Sequence, residues 1–280
     1  MRVEEIPELF HQAPDFSNLY QISFPSGPKE ISYPSDAFGN TDTENQGFWA
    51  KARLAAIERA LKINNANQLV EVGAGGGAVC IGLAQDNFSV FAIEPHLSGA
   101  MTIAKNGVPA LASFLNDANF PDKCVPNYGT FDVLEHLPDA NEVLREMHRT
   151  LEADGRLYLT VPVGQWLWGS LDETLGHQRR FSKRGMRQLL AQNGFVPELE
   201  EYLFLSLVPL AWVTRALPYK LRRGRKSVEE ISDQLAPSKL VDSLSAFILK
   251  IEAKISLFVP LPYGLTLMVV AKKSPEDQVS

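Results

Sequence analysis

The sequence is poor in cysteine and has no long apolar run. Only Cys80 and Cys124 occur among 280 residues, which excludes a disulfide scaffold and fits a reducing compartment. No stretch reaches the ~20 consecutive apolar residues that a membrane span needs. The first ten residues, MRVEEIPELF, carry acids where a secretion signal has a basic start and an apolar run, so the expectation is a cytoplasmic chain. Excess positive charge is lacking too. With 27 basic against 33 acidic residues the net charge is −6, which argues against a partner gripped by neutralising phosphates, as a nucleic acid would be. Repeats and low-complexity tracts are absent. Apolar material is plentiful, at 45% of the chain, enough for a packed core and too much for a disordered one.

Along the chain, residues 1–46 carry Pro7, Pro14, Pro25, Pro28 and Pro34 and read as an extended N-terminal arm with at most a short helix. Residues 47–280 then read as one domain. FWAKARLAAIERALK places Trp49, Leu54, Ile57 and Leu61 at helical spacing. QLVEVGAGGGAVCIGLAQ is a buried strand joined to a helix through glycines, and SVFAIEP is a second strand followed by a helix that Asn106-Gly107 closes. Weak strands over 109–113 and 127–132, a helix from Ala140 to Leu151, and a turn at Asp154-Gly155 into RLYLTVPV continue the alternation. Ser182 is placed to cap a helix ending at Asn193-Gly194. FVPELEEY and LTLMVVAKK complete seven strands, with a helical insertion over 203–256 before the last. The pattern predicts an α/β fold: a Rossmann-like, seven-stranded, mostly parallel sheet with helices on both faces. Ligands bind such sheets beyond the carboxyl ends of the strands, where the strand order reverses.

The glycine-rich joint, Glu71-Val72-Gly73-Ala74-Gly75-Gly76-Gly77-Ala78, belongs at that edge. Glycines permit a sharp turn and close approach of a ligand, and the helix that follows offers free N–H groups. Glu94 ends the next strand, 23 positions after Glu71, where a carboxylate can accept both hydroxyl hydrogens of a ribose. Together they suggest a nucleoside-containing cofactor. Gly73-x-Gly75-x-x-Ala78 also satisfies a nicotinamide fingerprint. Glu71 favours the other option, because an acid beside the loop suits an ammonium or sulfonium group better than a pyrophosphate.

These segments, with FDVLEHLPDANEVLREMHRTLEADGRLYLTVPV (131–163) and LWGSLDETLGHQRRFS (167–182), resemble the class I S-adenosylmethionine-dependent methyltransferases, in the branch of type 11/type 23 domains. The resemblance covers roughly residues 45–273. It implies S-adenosylmethionine as methyl donor and S-adenosylhomocysteine as product. It also implies that Glu71, Gly73, Ala74, Gly75 and Gly77 surround the methionine part of the cofactor, with Glu94 and Pro95 at the ribose. Phe114 and Leu115 would border adenine, while Phe131 and Asp132 would face the methyl-transfer centre. Arg53 is placed to pair with the cofactor carboxylate beneath Trp49 as an apolar lid.

On the acceptor side, His177 is a candidate base with Asp172 beside it, and Trp168, Arg179 and Arg180 are candidate substrate contacts. The competing expectation is that Asp172 and Arg180 pair to pin the loop, with His177 bonding backbone. Asp132, Glu135 and His136 form a weaker alternative as a metal cluster. The acceptor is expected to be a small molecule or a lipid- or glycan-linked one, methylated on oxygen. The insertion carries LFLSLVPLAWV and then Arg215, Lys220, Arg222, Arg223, Arg225 and Lys226. It reads as a helical lid with a solvated basic turn, or as a peripheral contact of residues 203–226 with the inner face of a membrane. Two other classes fit part of the pattern: a nicotinamide-dependent oxidoreductase, and a non-catalytic cofactor-binding scaffold.

Overall fold

A computed structural model describes residues 1–13, 18–21, 47–221 and 239–274. A nine-stranded sheet runs through it in the order β1-β2-β5-β4-β3-β6-β7-β9-β8. The strands are β1 His11–Gln12, β2 Leu19–Gln21, β3 Gln68–Val72, β4 Ser89–Ile93, β5 Ala110–Ala112, β6 Val125–Phe131, β7 Leu151–Pro162, β8 Phe195–Leu203 and β9 Thr266–Lys273. The seven expected strands are all there. The count rises to nine because part of the supposed arm joins the sheet: β2 pairs parallel with β5 and β1 antiparallel with β2. Beside them a 3-10 turn, Val3–Leu9, buries Val3 and Ile6.

The middle strands are apolar almost throughout because both of their faces are covered. Side chains alternate between the faces. Leu69, Val90 and Ala92 join one apolar cluster, with Ile57 and Leu61 of α1 (Phe48–Ile63), Val79 and Leu83 of α2 (Ala78–Gln85) and Ile103 of α3 (Leu97–Lys105). Val70, Phe91 and Ile93 join the other, with Leu144 and Met147 of α4 (Asn141–Thr150) and, past the five-residue α5 (Ser170–Thr174), Met186 and Leu190 of α6 (Lys183–Gln192). Ser182 caps α6 as expected, accepting from the Gly185 N–H at 3.0 Å.

One local expectation is corrected. Asp154-Gly155 is not a separate turn: β7 begins at Leu151 opposite Val125, and the register shifts before Arg156 pairs with Asn127. Pro126 has no N–H to give the ladder there, and a Cβ on Gly155 would lie 2.5 Å from the Pro126 carbonyl oxygen.

β3 has β4 on one side and β6 on the other, so the crossovers change direction between β3 and β6. The insertion follows β8. A short turn at Leu205–Leu207 and a helical stretch over 208–220 bring Leu203, Phe204, Leu207 and Ala216 into the interior. α7 (Lys239–Ser256) packs on α1 and on the Leu205–Leu207 turn. Arg222, Arg223, Arg225 and Lys226 lie outside the described residues.

Candidate active site

The loop between β3 and α2 bends through glycines with left-handed backbone. At Gly73 (φ +74°) a Cβ would also meet a Val133 methyl at 2.7 Å, and Gly75 sits at φ +58°. Glu94, at the tip of β4, reaches under this loop. One carboxylate oxygen accepts the Gly75 N–H at 2.7 Å and the other the His96 N–H at 2.8 Å. Burial pushes its carboxyl up to about 7, against the pull of those two donors. Half-buried Pro95 follows, and Gly99 of α3 lies so close below the loop that a Cβ there would stand 2.5 Å from the Gly75 carbonyl oxygen.

Glu71 occupies the last turn of β3 at 2% exposure, and its Oε2 has no hydrogen-bond partner among the described residues. Burial pushes the carboxyl up to about 8, although the Arg53 guanidinium nearby opposes this. Arg53 is on α1. Its Nη1 binds Asp132 Oδ2, and its buried Nε has no partner among the described residues. Asp132 stands just past β6 in left-handed backbone (φ +56°), with its other oxygen taking the Thr160 hydroxyl at 3.1 Å. Arg53, expected to meet the cofactor carboxylate, is thus paired with Asp132, and Trp49 meets Phe204 of the insertion with ring centroids 4.0 Å apart. Phe131 and Leu115 are buried, and Phe114 is half-buried beside Leu115 at the end of β5.

Beyond β7, Asp172 is 1% exposed and has four donors: Gly169 N–H at 2.9 Å, His177 Nδ1 at 2.8 Å, and Arg180 Nε and Nη2 at 2.7 and 3.1 Å. Burial alone would raise its carboxyl, but the hydrogen bond from His177 and the Arg180 charge outweigh it and hold the group below the ordinary aspartate range. The Asp172–Arg180 pair expected to pin the loop is present, and the His177 ring bonds the same carboxylate. Arg180 also donates to the Val163 carbonyl, and Arg179 donates through Nη2 to the carbonyls of Leu137 and Pro138. Trp168 is half-buried in the same segment.

Those Arg179 bonds, with Gln178 N–H donating to the Glu135 carbonyl at 2.7 Å, stitch the loop after β6 to the segment after β7. They bring the His136 and His177 rings to 4.8 Å, edge to face. Glu135 lies fully buried beside them, with no partner for either carboxylate oxygen among the described residues, and burial next to Asp132 raises its carboxyl well above the ordinary range. The metal alternative changes membership accordingly. Glu135, His136 and His177 each offer a ligand atom within 4.8 Å of the others, whereas Asp132 is engaged by Arg53 and Thr160.

Thr160 escaped sequence reasoning, and the sequence placed Arg215 in a solvated basic turn or membrane contact and not in the interior. Thr160 was legible in principle, as a polar residue inside an apolar strand. Arg215 was not: its guanidinium is buried near Arg180, a placement set only when the insertion folds over Gly169, whose Cβ would lie 3.2 Å from the Arg215 carbonyl oxygen.

The methyltransferase-domain pattern of type 23 matches residues 43–200, more than half of the chain. The chain is 28% identical over 131 residues to a 2-methyl-6-phytyl-1,4-hydroquinone methyltransferase of rice, covering 44% of this chain and 40% of that one. It is 30% identical over 133 residues to its namesake of Spinacia oleracea, covering 44% of this chain and 38% of that one. The chain thus spans about two fifths of the length of these curated relatives. In fold it is similar to S-adenosylmethionine-dependent methyltransferases of Thermotoga maritima (TM-score 0.55, 16% identity, 81% of this chain and 90% of that one) and Archaeoglobus fulgidus (0.51, 14%, 80% and 94%). The oxidoreductase reading gives way: the chain belongs to the methyltransferase-domain family.

Proposed function

We propose that this enzyme methylates the hydroxyl of an apolar, hydroquinone-like small molecule, using the His177–Asp172 pair as its base. The observation that carries the reading is the 2.8 Å hydrogen bond from His177 Nδ1 to a buried carboxylate that stays ionised at neutral pH. Such a bond fixes the tautomer that leaves Nε2 free to take a proton. The hydroquinone class is suggested by what the two curated relatives are named for.

The donor set suits the methyl donor. Its ammonium answers the orphaned Glu71 oxygen, its ribose hydroxyls answer Glu94, and the Gly73–Gly77 backbone leaves room for the methionine part. Ala74 and Pro95 flank these contacts, and Phe114 and Leu115 form the apolar border for adenine. When bound, the donor supplies an activated methyl on a positively charged sulfur. The protein's part is alignment: Phe131 and Asp132 place the acceptor edge, and Arg53 exchanges Asp132 for the donor's carboxylate. His177 Nε2 would take the proton that the acceptor hydroxyl loses on methylation.

A second reading rests on the empty hydrogen-bonding capacity of Glu135. Glu135, His136 and His177 would hold a divalent cation that polarises the acceptor oxygen, in place of a base.

The test is a pH–rate profile with labelled donor and a panel of hydroquinones. His177→Gln is expected to lower kcat about a hundredfold or more and to abolish the acidic limb, while donor affinity measured by calorimetry stays unchanged. A variant that keeps both rate and profile removes the base. Activity lost on chelation and restored by a divalent ion transfers the role to the metal cluster.

A further inference from the structure

The insertion has an outer face that the methyl-transfer site does not use. In the described part of α7, Ser245, Leu249 and Glu252 turn inward: Ser245 and Leu249 are buried, and Glu252 accepts the N–H groups of Leu205 and Ser206 at 3.0 and 2.6 Å. Opposite them Phe247 (60%), Ile248, Ile251 and Ile255 lie exposed, and the helix runs into Leu257, Phe258 (86%) and Val259, all open to solvent. Scattered apolar residues on a surface need no explanation, but seven within thirteen positions do. The charge on this stretch is one-sided. Lys250 and Lys254 are exposed among the apolar side chains, and the only carboxylate from 247 to 259 is Glu252, which faces inward. In a chain of net charge −6, this is a local cationic, apolar strip.

We infer that residues 247–259 dock the enzyme on an anionic lipid bilayer, lying in its surface with Phe247, Ile251, Ile255 and Phe258 among the acyl chains and Lys250 and Lys254 at the headgroups. Charge complementarity selects this occupant. Acidic headgroups answer two lysines that have no carboxylate beside them on that face among the described residues, and hydrocarbon answers the apolar side chains. The chain lies on the bilayer and does not cross it, since no helix among the described residues is long and apolar enough to span. The location differs from the 203–226 contact expected from sequence: there Leu203, Phe204 and Leu207 turn inward while Leu210, Trp212, Val213 and Leu221 are exposed, and the strip inferred here lies on the other arm of the insertion. It stands independently of the acceptor proposed above, although it would bring the site to acceptors dissolved in lipid.

The full chain is tested by flotation with phosphatidylcholine vesicles containing phosphatidylglycerol, and with phosphatidylcholine alone. Binding is expected on the mixed vesicles only, and to weaken as salt rises. The double variant Ile251→Glu/Phe258→Glu should lose about a hundredfold in vesicle affinity, and Lys250→Glu about fivefold. Because these side chains are exposed, melting temperature and donor binding should not change, which separates this result from any failure of the methyl-transfer reading. The inference is overturned if wild type does not float, if the double variant floats equally well, if sedimentation shows a dimer that the same substitutions dissolve, or if hydrogen exchange finds 247–259 already protected in the free chain.

Discussion

Glu71 and Asp172 are both buried carboxylates at the carboxyl edge of one sheet, and they have opposite electrostatic fates. Asp172 receives four hydrogen bonds, two of them from one guanidinium, and is held in its ionised form. Glu71 is almost as deeply buried, yet one oxygen has no partner among the described residues and burial pushes the group toward its neutral form. The difference separates a self-sufficient polar network, which fixes a segment's shape, from one left incomplete among the described residues. Burial does not distinguish them; the count of satisfied oxygens does.

The comparison is broken most forcefully at Asp172. Replacing it with alanine leaves Arg180 buried near Arg215 with no counter-charge, and frees both His177 and the Gly169 amide. The expected loss is roughly 3–5 kcal/mol, a fall in melting temperature of about 10 °C for a chain of this size. Its pH dependence is also fixed. A carboxyl held below its ordinary range contributes stability that is present at neutral pH and lost as pH falls through the acidic range. An Asp172→Ala variant that melts with wild type would show that the network does not hold the segment.

An intermediate effect is expected at Glu94, which belongs to both regimes: its two oxygens are satisfied by backbone, yet burial still raises it. Glu94→Ala removes the acceptor for the Gly75 and His96 amides along with the proposed ribose contact. Calorimetry should show donor affinity falling tenfold or more. Binding at wild-type strength would displace the ribose from this position.

Much of this edge was legible before the fold was known, because strand, glycine joint and helix are local patterns, and right-handed crossovers carry Glu71 and Glu94 to the same side. Three features were not. β1 and β2 are two and three residues long, too short for any periodicity, and exist only because β5 offers an edge. Arg53 reaches Asp132 across 79 positions, and Trp49 reaches Phe204 across the insertion, so both depend on how helices pack and not on spacing. His177 was legible as a base candidate, but its position against Glu135 and His136 required the two loops to be stitched by Arg179 and Gln178.

Glu71 sharpens the comparison most. Unfolded, the Glu71 carboxyl titrates near its ordinary 4.5; folded, it titrates at about 8. Between those values the folded chain keeps a proton that the unfolded chain has released, so this group makes the protein less stable as pH rises, by at most about 1.4 kcal/mol per pH unit. Glu71→Gln removes the titration with little change in shape. The ligand-free variant should therefore melt above wild type, by a margin that widens from pH 5 to pH 8, the reverse of what any change at Asp172 can produce. With the methyl donor present the order inverts. A bound cation favours the ionised carboxylate, so wild-type affinity should rise between pH 6 and pH 8 with release of a proton, while the glutamine variant binds more weakly and with a flatter pH response. A variant that gains no stability with pH would mean that Glu71 already has an internal partner and awaits none.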